Sequence, residues 1–103
     1  MIMMYTIAFP ATSATEYGKA VIKNFQEHPF PDSVKLIGPY SLVDEHGCKS
    51  IAILEIEQGK ESEVFKVVNK RLVNYLTVPG FGWKEERLLN MEESLSLLGL
   101  KAP

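Results

Sequence analysis

Cysteine is almost absent from this 103-residue chain: Cys48 stands alone, so no intramolecular disulfide can form and a zinc site built from several cysteines is excluded. Surplus charge is also missing. Eleven basic residues face thirteen acidic ones, a net charge of −2, which provides no concentrated basic surface of the kind that recruits nucleic acid or an anionic membrane. The first eleven residues, MIMMYTIAFPA, are apolar but carry no basic leader and are too short to span a bilayer, so they read as a strand. The expected setting is the reducing cytoplasm. The chain also has no Gly-rich phosphate loop, paired-histidine helix motif or serine nucleophile elbow. Neither a cofactor nor a metal is therefore expected.

What is present is a regular alternation of elements. Met3 to Phe9 alternates as a strand and Pro10 ends it. Ser13 and Glu16 have capping-box spacing, opening a helix whose apolar stripe is Tyr17, Ala20, Val21 and Phe25, with Lys19, Lys23, Asn24 and Gln26 outward. Gly18 within it suggests close packing against a neighbour. Pro29 and Pro31 follow the helix, and His28 before them is expected to meet the free carbonyls of its last turn. Ser33 to Val43 reads as a strand bent at Gly38-Pro39, which suits an edge position, and the Asp44–Gly47 turn leads into Lys49 to Glu57.

That last strand is apolar on both faces: Ala52, Leu54 and Ile56 on one, Ile51 and Ile53 beside Glu55 and Glu57 on the other. A strand so patterned belongs near the middle of a sheet with both faces covered. A helix of about 16 residues follows, its stripe Val64, Val68, Leu72, Tyr75 and Leu76, while Lys60, Lys66, Lys70 and Arg71 read as a solvated basic face. Phe81 to Leu89 is the final strand, and Asn90 with Glu93 repeats the capping-box spacing before a short helix ending near Gly99.

The order strand, helix, strand, strand, helix, strand is that of a single α+β, ferredoxin-like βαββαβ domain over residues 1–103, with an antiparallel four-stranded sheet, two helices on one face and a short C-terminal helix. Right-handed crossovers place the first and third strands at the centre. Two helices cover one face only, and the other needs a second cover. In element order and two-sided central strands the chain resembles the dimeric α+β barrel superfamily, whose ferredoxin-like subunits pack sheet against sheet. The resemblance implies a homodimer through the sheet face. It also implies a range of activities, among them cofactor-independent monooxygenases and isomerases, ligand-sensing domains and proteins of no known activity.

Six residues are the expected ligand-binding groups: Tyr5, Tyr40, His46, Glu55, Trp83 and Arg87. Aromatic bodies with a polar tip suit a pocket wall as well as a core or an interface, and Tyr17 and Tyr75 share that character. Glu55 and Arg87 are expected on one face, paired with each other or serving a ligand. Asp44, Glu45, His46 and Cys48 have metal-ligand chemistry within five positions, yet turn composition alone accounts for them. The first reading is a small-molecule binder with a pocket between helices and sheet; the alternatives are an enzyme of the resembling superfamily, with Tyr5, His46 or Trp83 in the pocket, or an interaction module using Leu95, Leu97, Leu98 and Leu100.

Overall fold

In the computed structural model, which describes residues 1–103, the strands are β1 (Ile2–Phe9), β2 (Val34–Asp44), β3 (Gly47–Ile56) and β4 (Gly82–Leu88). The helices are α1 (Ala14–Glu27), α2 (Glu61–Tyr75) and α3 (Met91–Leu97). All strand pairs are antiparallel, in the order β2-β3-β1-β4, so the two strands with apolar residues on both faces are the two central ones. This is the ferredoxin-like arrangement expected from the element order. The β2–β3 register shifts between Ile37 and Tyr40, where Gly38 and the cis-bonded Pro39 bend the edge strand.

Register assigns the faces. Tyr5 lies opposite Ala52 and Glu85, and Met3 opposite Leu54 and Arg87, so the alternate residues Met3, Tyr5, Ile7 and Phe9 look toward α1 and α2. There they join Leu54, Ile56, Val64 and Val68 at one end, and Ala20, Tyr75 and Val78 at the other. The opposite face carries Ile2, Met4, Thr6, Ile51, Ile53 and Leu88, and none of these is fully buried.

Local chemistry departs from the expected pattern at several points. Ser13 makes no side-chain cap. A 3-10 turn over Ala11–Ser13 precedes α1, and the buried Ser13 hydroxyl instead donates to the Pro79 carbonyl at 2.7 Å, tying the two loops together. The Asn90–Glu93 capping box does form, with Oδ1 of Asn90 accepting from the Glu93 N–H at 2.8 Å. Gly18 packs against nothing, since a Cβ there would meet no atom within 4 Å.

Leu76 is exposed, and Val78 beyond the helix end takes its place in the core. The C-terminal helix α3 buries no residue and leaves Leu97 77% exposed, so it does not close over its own core. The resulting body is flat and extended, 47 × 32 × 16 Å, with a radius of gyration of 15.5 Å against roughly 13 Å for a compact chain of this length.

Candidate functional site

Between the helices and the sheet lies a pocket walled from both halves of the core. Strand residues Tyr5, Ile7, Ser50, Ala52, Leu54 and Trp83 form its floor; Tyr17, Val21, Val68 and Tyr75 form its roof. Thirteen of its sixteen lining residues are hydrophobic, and Arg71 is the one charged group among them. The cavity has a volume of about 70 Å³.

Aromatic rings pack in and beside the pocket wall, Tyr5, Tyr17, Tyr75 and Trp83 lining it and Phe9 and Phe81 standing behind. Phe9, Tyr17, Tyr75 and Phe81 form a stacked series with centroids 4.1, 5.5 and 5.8 Å apart, and Tyr5 leans on Trp83 at 5.0 Å. Burial pushes the Tyr17 phenol up to about 12; Ser50 and Arg71 oppose the rise and Tyr75 adds to it. Burial also raises Tyr5, which is 5% exposed, and its hydroxyl donates to Oε1 of Glu85 at 3.0 Å, which raises it further. Both phenols are hydrogen-bond donors at neutral pH.

Arg71 is the residue that the sequence reading misplaced. It is 8% exposed, not solvated, with its guanidinium carbon 4.7 Å from the Phe25 ring centroid and 4.2 Å from that of Phe30. Its Nη1 donates to the carbonyls of His28 at 2.8 Å and Asn24 at 3.4 Å, so a cation from α2 caps the negative end of α1, the role expected of His28. Asn24, expected outward, is fully buried; its amide donates to the Arg71 carbonyl at 3.0 Å and accepts from Asn74 at 2.7 Å. The signal was in the spacing. Val64, Val68, Arg71 and Tyr75 follow at +4, +3 and +4, as Tyr17, Ala20 and Asn24 do at +3 and +4, so both polar residues fall on the inward stripes.

Of the six expected ligand-binding residues, Tyr5 and Trp83 line this pocket. Tyr40 does not; it lies opposite Ile51 on the other side of the sheet and is 66% exposed. Glu55 shares that side, its carboxylate 4.0 Å from Lys35. Arg87 is on the helix side, because it faces Met3 whereas Glu55 faces Ile2. The two therefore stand on opposite faces of the sheet and cannot pair across it. His46 sits at the exposed hairpin tip, its N–H donating to Oδ1 of Asp44 at 2.8 Å and its ring 3.4 Å from Glu45. No three of the His, Cys, Asp and Glu side chains gather where they could hold a metal ion, and no helix is long and apolar enough to cross a membrane.

No protein-family model and no curated protein matches this chain. Among solved structures, a formyltetrahydrofolate deformylase from Pseudomonas putida KT2440 is similar over 85% of this chain, at 11% identity and a TM-score of 0.49. The match takes in 29% of the deformylase, so this chain spans less than a third of that protein's length.

Proposed function

We propose that this protein binds a small molecule in the pocket between its helices and its sheet. The observation that carries this reading is the combination of a largely apolar, ring-lined wall with a few convergent polar groups, Tyr17, Ser50 and Arg71, in one concavity. Trp83 is the single tryptophan and part of the wall, so its emission is a built-in reporter. Titration with single-ring aromatic compounds is expected to shift that emission and raise the melting temperature. If no such compound does either at millimolar concentration, the reading is wrong.

The reading includes a homodimer formed through the open sheet face. That face has the plan of an interface: an apolar centre of Met4, Ile51 and Ile53, and a charged border where Lys35 lies 4.0 Å from Glu55 and Lys84 lies 3.7 Å from Glu86. A second copy would cover the face that α1 and α2 leave open and contribute the same patch in return. Light scattering at micromolar concentration tests this, with a mass of two subunits expected. A monomer would remove the dimer from the proposal and leave the pocket.

A further inference from the structure

Resting on the pocket reading above, we propose that the ligand is a compact apolar acid carrying one carboxylate, with the carboxylate on Nε and Nη2 of Arg71 and the apolar body among Tyr17, Tyr75 and Trp83. Three observations carry this.

The first is that Arg71 is a buried cation with no counter-ion. The residue as a whole is 8% exposed, and no carboxylate of the chain lies within 4.0 Å of its guanidinium. Buried arginines are ordinarily paired, because desolvating the charge is costly. Carbonyl oxygens of Asn24 and His28 meet Nη1 only, while Nε and Nη2 make no hydrogen bond within the chain. Those two nitrogens form one of the planar edges that matches a carboxylate with two parallel hydrogen bonds.

The second is the charge of the lining. Arg71 is its only charged member, so the wall contributes a single positive charge, which a monoanion neutralises and a dianion exceeds. Tyr17 does not neutralise it. A phenol is protonated at neutral pH and burial only raises this one further, so beside an anionic ligand it is a hydrogen-bond donor. The third is size and surface: a cavity of about 70 Å³ whose lining is hydrophobic at thirteen of sixteen positions admits only a compact, largely apolar body, with Tyr17 and Ser50 as its other polar contacts.

The test is a matched pair of probes, phenylacetate and phenylacetamide, titrated into the full chain by calorimetry. They share a ring and shape and differ in charge. The wild-type protein is expected to bind phenylacetate at least about tenfold more tightly, and Arg71→Gln to reduce that ratio to near one while still binding the amide. Because Arg71 also caps α1, the variant could fail to fold, so a second readout uses the wild-type chain. The chain has two arginines, Arg71 and Arg87, and in protein labelled with 15N-arginine the Arg71 Nε–H resonance, assigned with Arg87→Lys, is expected to move with phenylacetate and not with phenylacetamide. Equal affinities, or an Arg71 resonance that phenylacetate leaves in place, overturn the assignment of an acid while the pocket reading stands. Failure of both probes to bind, with other single-ring compounds also inert, overturns the pocket reading and this inference with it.

Discussion

Asn24 and Arg71 hold each other across the two long helices: the Asn24 amide donates to the Arg71 carbonyl at 3.0 Å, and Nη1 of Arg71 donates back to the Asn24 carbonyl at 3.4 Å. Asn74 completes the set by donating to Oδ1 of Asn24 at 2.7 Å. The arrangement makes a polar seam in an otherwise apolar layer, and it positions the guanidinium at the edge of the pocket. Asn24→Ala is expected to cost about 1–3 kcal/mol, because the buried partners lose their hydrogen bonds and a small void replaces the amide. A urea melt measures this; an unchanged midpoint would mean that the seam contributes nothing.

Ionisation of Tyr17 provides a pH test. Its folded pKa is raised to about 12, above the ordinary tyrosine value of about 10. The neutral phenol is thus favoured by folding, and the associated stability is complete below about pH 10 and lost as pH rises toward 12. The loss is expected to be on the order of 1 kcal/mol, because solvent screening of a partly exposed ring takes off much of what the full shift would give. Burial and Glu85 shift Tyr5 in the same direction, so it adds to the same alkaline fall. Tyr17→Phe is expected to flatten part of the decline when denaturation midpoints are followed across this range; a variant that falls as steeply as the wild type would contradict it.

Two glycines are expected to respond oppositely to alanine. At Gly18 a Cβ meets nothing within 4 Å in the middle of α1, so Gly18→Ala is expected to stabilise by about 0.5–1 kcal/mol through helix propensity and reduced unfolded-state entropy. At Gly80 the backbone has φ of +75°, and a Cβ would stand 2.6 Å from Cγ of Pro10. Gly80→Ala is expected to destabilise by more than about 1 kcal/mol, since it combines the left-handed penalty with a clash. Thermal melts of both variants give the comparison.

The open face gives a prediction that separates assembly from folding. Ile53 lies at its centre opposite Met4 and is absent from the helix-side clusters. Ile53→Glu is expected to convert a dimer to a monomer in light scattering while leaving far-ultraviolet circular dichroism unchanged. A variant that remains dimeric would place the interface elsewhere.

Element order, strand order and the assignment of Ala52, Leu54 and Ile56 to one face against Ile51 and Ile53 on the other were legible because side chains alternate with period two along a strand and crossovers have a fixed hand. Tyr5 and Trp83 were candidates for their aromatic bodies with a polar tip, and both lie in the pocket wall. Polar character misled the reading at Asn24 and Arg71, since each occupies an inward helical position by spacing and is tolerated there through partners that are distant in sequence. Tertiary structure also decided that Glu55 and Arg87 stand on opposite faces, because the answer depends on the β1–β3 and β1–β4 registers and not on either strand alone. It likewise gave Ser13 a loop carbonyl in place of a helix cap, and it left Leu97, Leu98 and Leu100 exposed. The sequence by itself determined the periodicities, and with them the sheet and its two apolar faces. Which polar side chains meet inside is a property of contacts between segments, and so only the folded chain could place a lone guanidinium beside an aromatic pocket.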